Sequence, residues 1–175
     1  SLLDVQTGEK VWTFEGGGDT CALSPDGTQV LCGGANDKKL SLLDAKTGEK
    51  LWAVERAGAV WTCAFGPDGT RMLCGGGDKK LSLLDAKGGG KVWTHQRTDE
   101  VKTCAFSPDG TRVLCGGDDK ELSLLDVKTA EKVWTVECAS YVVTCAFSPD
   151  GNHALCGDWD KKLSLLEAKK GGKVW

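Results

Sequence analysis

The 175-residue sequence contains no apolar run longer than about five residues, against the roughly 20 that a helix needs to cross a bilayer. Its N-terminus lacks the charged-then-apolar layout of a signal peptide, so the chain is expected to be soluble, with no membrane partner. Excess positive charge is missing too: 22 Lys and Arg are spread among 25 Asp and Glu, for a formal net charge of -3. No basic patch can neutralise a phosphate backbone, and no nucleic acid partner is expected. The nine cysteines include no Cys-x-x-Cys and no Cys-Cys pair, and there are only two histidines. An initial Met is absent as well: the sequence opens on Ser1, part-way through a repeat unit, which points to a piece of something longer or to a processed product.

What the sequence does have is a repeat. The string Ser-Leu-Leu-Asp/Glu starts at Ser1, Ser41, Ser82, Ser123 and Ser164, with spacings of 40, 41, 41 and 41. Trp12, Trp52, Trp93, Trp134 and Trp175 each follow their Ser by eleven residues. All four prolines (Pro25, Pro67, Pro108, Pro149) lie in a Pro-Asp-Gly turn ahead of Leu-Cys-Gly. Self-similarity at such a period marks solenoids, propellers or arrays.

Within one unit, residues 60–65 (Val-Trp-Thr-Cys-Ala-Phe) are rich in β-formers and close on Gly-Pro-Asp-Gly, whose Pro presets a tight turn. This predicts a strand, with residues 70–74 as its hairpin partner. Gly75-Gly76-Gly77-Asp78 breaks the chain, 79–85 forms a third strand, Gly88-Gly89-Gly90 turns again and 91–96 forms a fourth. Four short antiparallel strands per period, with no 3.6-residue apolar period, predict an all-β chain of propeller blades. The expected units are a leading half-blade (1–15, strands three and four) and blades at 19–56, 60–97, 101–138 and 142–175, the last strand truncated. An arc of this size leaves apolar faces and strand edges open and is not expected to be stable alone. Closure could come from further blades of a longer chain, a second copy or a tight four-bladed ring.

The segment Ala64-Phe65-Gly66-Pro67-Asp68-Gly69-Thr70, with Gly75 to Asp78 behind it, resembles WD40 repeats, and the likeness extends over the whole chain. The sequence departs from that family where Arg56-Ala57-Gly58 and Arg97-Thr98-Asp99 replace its Gly-His pair and Leu43-Asp44 replaces its Trp-Asp. The family's buried His, Ser/Thr, Asp and Trp network is therefore not expected. The segment Leu43-Asp44-Ala45-Lys46-Thr47-Gly48-Glu49-Lys50-Leu51-Trp52 resembles the tryptophan-docking motif of quinoprotein (PQQ-type) propellers. Asp4, Thr7, Gly8 and Trp12 repeat it, while Ala130 stands where a later unit should have Gly. The resemblance implies that Trp12, Trp52, Trp93, Trp134 and Trp175 are structural, packed between neighbouring blades. Truncating a buried one to Ala should cost roughly 3–5 kcal/mol.

Eight cysteines occupy two fixed positions per blade (Cys21, Cys63, Cys104, Cys145 and Cys32, Cys74, Cys115, Cys156), eleven residues apart, which is not a metal-ligand spacing. They read as small buried hydrophobes. So many unpaired thiols suit a reducing compartment, and a cytoplasmic location is expected. Cys138 stands outside the pattern, near a loop, either reactive or merely tolerated. His95 and His153 lie in different blades and neither recurs, so no catalytic constellation is expected. Gly16-Gly17-Gly18 and the other Gly-rich stretches have no helix behind them and read as turns, not phosphate cradles. No cofactor and no metal are expected; a quinoprotein site would ask for a Ca²⁺ cluster and, in many members, vicinal cysteines, which the sequence lacks.

Alternate turns of a four-stranded blade share one end of the disc. The Pro-Asp-Gly and Thr-Gly turns stay alike between units. The other face varies at 15–19, 55–59, 95–100 and 137–141, and at Asn36, Asp118 and Asp158-Trp159. An alike frame with divergent loops suggests a non-catalytic scaffold that holds a protein or peptide partner on those loops. Arg56, His95, Arg97, Tyr141, Asp158 and Trp159 are the candidate contacts, several of them types enriched in binding hot spots. Trp61, matched by Lys102 and Val143, is expected to face outward. The competing readings are a fragment that closes a ring or filament with copies of itself, and a quinoprotein-like enzyme.

Overall fold

The computed structural model of the chain describes residues 1–16 and 18–175. The middle of the Gly16-Gly17-Gly18 stretch, Gly17, lies outside the described residues. The chain is all-β, built of separate antiparallel sheets that follow one another along the sequence. A leading pair, β1 (Leu2–Leu3) and β2 (Lys10–Trp12), precedes three four-stranded sheets. These are β3 (Thr20–Leu23), β4 (Gln29–Gly33), β5 (Lys39–Asp44) and β6 (Lys50–Glu55); β7 (Val60–Phe65), β8 (Arg71–Gly76), β9 (Lys80–Asp85) and β10 (Lys91–Gln96); and β11 (Val101–Phe106), β12 (Arg112–Gly117), β13 (Glu121–Asp126) and β14 (Lys132–Glu137). A three-stranded sheet of β15 (Val142–Phe147), β16 (His153–Asp158) and β17 (Leu163–Glu167) ends the series, with Lys173 bridging Leu166 beside it. In every sheet the strands lie in chain order, hairpin to hairpin. First strands of successive sheets lie side by side, β3 with β7, β7 with β11 and β11 with β15, which places them innermost.

The hydrophobic core is divided among the junctions between sheets. Leu31, Leu40 and Leu42 of the first full blade meet Val60, Met72, Cys74 and Leu84 of the second. Leu73, Leu81 and Leu83 meet Val101, Val113, Cys115 and Leu125, and Leu114, Leu122 and Leu124 meet Val142, Ala154, Cys156 and Leu166. Third strands are buried on both faces: Leu81 and Leu83 point to one neighbour and Leu84 to the other. The motif Ser-Leu-Leu-Asp therefore reads as a nearly continuous apolar run and not as a half-exposed alternation. Six cysteines are buried, Cys138 and Cys145 are half-buried, Cys21 is exposed, and all nine are free thiols. Burial pushes Cys32, Cys74 and Cys115 up to about 11, and Cys63 and Cys145 up to about 12.

Each fourth strand carries one unpaired residue just before its Trp: Leu42 pairs with Trp52 and Leu43 with Lys50, so Leu51 is passed over, and Val92 and Val133 sit likewise. A bulge of this kind re-aims the next side chain. The indole here points at the following blade, where Trp12, Trp52, Trp93 and Trp134 donate from Nε1 to the carbonyls of Ala45, Ala86, Val127 and Ala168 at 2.9, 3.1, 2.7 and 2.8 Å. Three of these rings lie against a glycine three residues beyond that carbonyl. A Cβ built on Gly48 would stand 2.8 Å from Trp12, one on Gly89 3.1 Å from Trp52 and one on Gly171 2.9 Å from Trp134, all at positive φ. Ala130 occupies the fourth position at φ 60°. These four indoles are half-buried, whereas Trp175 is 58% exposed.

Candidate functional site

The variable face carries a concavity of about 620 Å³ lined by Trp61, Lys102, Asp118, Tyr141, Val143 and Trp159. Three of the lining residues share one repeat position, the second residue of an innermost strand: Trp61 on β7, Lys102 on β11 and Val143 on β15. The others come from loops that the backbone ties down. The Trp159 N–H donates to the Tyr141 carbonyl at 2.9 Å, and the Asp118 N–H to the Glu100 carbonyl at 3.0 Å. Both bonds join a hairpin turn to the connector entering the same blade, so the loop side chains are held against the strand residues.

The exposure is apolar and aromatic: Trp159 is 71% exposed, Tyr141 44% and Val143 40%. Beside them the charges are compensated. Lys102 Nζ lies 4.7 Å from the centre of the Trp61 ring and pairs with Glu100 at 2.6 Å and Asp118 at 3.4 Å. The Trp61 Nε1–H donates to Glu100 Oε2 at 2.8 Å. The hydrogen bond from Lys102 holds the Glu100 carboxyl below its ordinary range, against its partial burial and with help from Trp61. Burial alone would lower Lys102, but Glu100 and Asp118 outweigh it and raise the ammonium above its usual value. Lys120 Nζ stands 5.7 Å from the centre of the Tyr141 ring. Fixed, neutralised charge around exposed rings is a setting in which apolar contact dominates recognition.

The six candidate contacts named from sequence do not converge. Tyr141 and Trp159 meet in this concavity. Arg56 and Arg97 are turned inward, where each reaches from the end of one blade into the next. Arg97 donates to Asp119 from Nε at 2.8 Å and from Nη2 at 2.6 Å, to Ser123 Oγ at 2.8 Å and to the Glu121 carbonyl at 2.9 Å. Its side chain is 2% exposed and that of Asp119 4%. Arg56 makes the same contacts one blade earlier, with Asp78 at 2.9 Å, Ser82 Oγ at 2.8 Å and the Lys80 carbonyl at 3.3 Å. With their donors committed inside the chain, neither guanidinium is presented to a partner. His95 is half-buried, its ring lowered in basicity by burial and by nearby Arg97 and Lys132, and its Nε2 has no hydrogen-bond partner. Asp158 folds back on its own hairpin, accepting the Lys162 N–H at 3.0 Å, and lines a different cleft.

The other lining residues, Trp61, Lys102, Val143 and Asp118, lie outside the six candidate contacts, and the first three carry a signal of their own. At the position just before the recurring Thr-Cys-Ala the units read Asp19, Trp61, Lys102 and Val143, while Thr-Cys-Ala-Phe follows unchanged in three of them.

The family model described as outer membrane protein assembly factor BamB matches residues 36–175, well over half of the chain. The chain belongs to the PQQ_2 family. Membership in PQQ_2 agrees with the docked tryptophans and with the propeller blades. No curated protein shows significant sequence similarity to the chain. A quinone and calcium site of the kind the name PQQ suggests does not fit the residues present. Among the described residues no three His, Cys, Asp or Glu side chains converge as metal ligands, and the sequence has no vicinal cysteines. Also among the described residues, no helix is long and apolar enough to cross a membrane.

Proposed function

We propose that this PQQ_2 propeller chain is a non-catalytic scaffold that holds a protein or peptide partner in the concavity of Trp61, Lys102, Val143, Tyr141 and Trp159. The observation that carries the reading is the cluster of exposed apolar rings on the face whose loops diverge, with Trp159 71% exposed at the rim. The partner chemistry that fits is an extended segment with an aromatic or aliphatic anchor, because the local charges already neutralise one another. The free thiols suit a reducing compartment such as the cytoplasm. Selection of a displayed peptide library on the immobilised chain tests this. Recovered peptides should lose about tenfold or more in affinity on Trp159→Ala or Tyr141→Ala, the scale of a hot-spot residue. Asn152→Ala, in a Pro-Asp-Gly turn on the opposite face, should leave binding intact. Peptides that bind the Tyr141→Ala, Trp159→Ala double variant as tightly as the parent would refute the reading.

A further inference from the structure

One repeat position changes its chemistry along the chain. The residue that follows the fourth strand is Arg56, then Arg97, then Cys138. Arg97 passes over Cys115 on its way to Asp119, with Nη1 3.4 Å from the Cys115 sulfur. The counterpart of Cys115 one blade later is Cys156, on β16. With a short side chain at 138, no guanidinium covers the buried thiol, and Cys138 and Cys156 line one cleft at the junction. Cys138 packs on the cluster that contains Cys156. Both line a cleft of about 170 Å³ whose walls also carry Asp158, Lys162 and Lys173. Backbone bonds set the pair, since the Cys138 N–H donates to the Lys120 carbonyl at 2.7 Å and Cys156 lies mid-strand between its β15 and β17 partners.

We propose that Cys138 and Cys156 form a reversible dithiol–disulfide site that reacts with small zwitterionic disulfides of the glutathione class. Cys138, half-buried at the cleft, is the attacking group, and Cys156, 3% exposed behind it, is the resolving one. The Cys138 thiolate attacks one sulfur of the small disulfide RSSR. Its S–S bond breaks, RS⁻ leaves and a Cys138–S–SR mixed disulfide forms. Cys156 then loses its proton and attacks the Cys138 sulfur, expelling the second RS⁻. The protein dithiol is oxidised by two electrons, and RSSR is reduced to two RSH once the thiolates are protonated.

Two features set Cys138 apart from the buried thiols, Cys156 included, which its hydrogen bond with Cys138 and burial push up. A hydrogen bond from Cys156 holds the Cys138 thiol below the ordinary thiol range, against the effects of burial and Asp158 and with help from Lys173. Burial pushes Cys32, Cys63, Cys74, Cys104, Cys115 and Cys145 the opposite way. A thiolate is the nucleophile in exchange, so the low-range thiol reacts first. The cleft lining carries both signs of charge, with Lys162 and Lys173 to meet the carboxylates of a zwitterionic disulfide and Glu137 and Asp158 to meet its ammonium groups. This inference rests on a cleft separate from the partner-binding concavity, and neither depends on the other.

The test is incubation of the whole chain with oxidised glutathione at neutral pH, followed by alkylation of the remaining thiols and peptide mapping. The expected product joins the peptides of Cys138 and Cys156, with the exposed Cys21 modified about tenfold more slowly. Cys156→Ser should stop the reaction at one glutathione on Cys138, and Cys138→Ser should prevent both products. Reduction with dithiothreitol should return nine free thiols. A mixed disulfide on Cys138 that persists in the unaltered chain would overturn the resolving role of Cys156. Modification of Cys21 ahead of Cys138 would overturn the site, and that result needs no variant to fold.

Discussion

The junction between the second and third full blades and the junction that follows it share a backbone plan and differ in what bolts them together. At the first, Arg97 inserts a guanidinium with a bidentate grip on Asp119 and further bonds to Ser123 and the Glu121 carbonyl. At the second, Cys138 stops short, and Asp160 and Ser164, the counterparts of Asp119 and Ser123, receive no such group. The apolar layers are alike, with leucines on one side and Val101 or Val142 on the other. Burial of leucine and valine therefore defines the stack, while the polar residue at the blade end decides whether a junction is locked by charge or left open to thiol chemistry. A buried ion pair is a poor source of net stability but a costly one to break by halves.

Substitutions at three kinds of position break or sharpen this contrast. The largest effect is expected from Arg97→Ala, which leaves the 4%-exposed Asp119 carboxylate without its cation. About 3–5 kcal/mol should be lost, measured by urea unfolding. Arg56→Ala should cost less, because its pair is more exposed at 10% and 7%. Equal, small losses at both positions would show that the two arginines are ornaments on an apolar stack. Next, Cys138→Arg installs the latch where it is missing. If the new guanidinium reaches Asp160 and Ser164, the gain is about 1.5–3 kcal/mol, the value of a hydrogen bond to a charged group, read as a higher melting temperature. A loss would mean that the thiol junction packs too tightly to admit the longer side chain. The smallest effect belongs to Ala130→Gly. The left-handed conformation at φ 60° costs a non-glycine residue about 1–2 kcal/mol, while glycine's extra freedom in the unfolded chain returns part of that. A net gain below about 1 kcal/mol is expected, and the equivalent Gly89→Ala should reverse its sign.

Legibility varied with the length scale of the feature. The strands of the second full blade were readable to within a residue or two, because Gly-Pro-Asp-Gly and Gly-Gly-Gly-Asp punctuate them and the period repeats the signal. The tryptophan docks were readable only as what the resemblance to the quinoprotein motif implies. Arg56 and Arg97 were not: a charged residue in a variable connector has the sequence profile of an exposed contact, and its acceptors lie 22 to 26 residues ahead in the next blade. Trp61 reads as an outward residue, but its place in a site depends on Lys102, Val143 and Trp159, which only the stacking of three innermost strands brings together.

By itself the sequence determined the all-β class, the blade as the unit and the identity of the frame residues, because all of these follow from local turn chemistry and a period of about 41 residues. The tertiary structure alone decided which side chains share a space. The indole passes to the following blade because a bulge turns it there, the arginines are consumed inside the junctions, and Cys138 meets Cys156 because a short residue sits where an arginine would have kept them apart. Each of these depends on the pairing of one blade with the next, a relation between residues whose separation along the chain carries no trace of their contact.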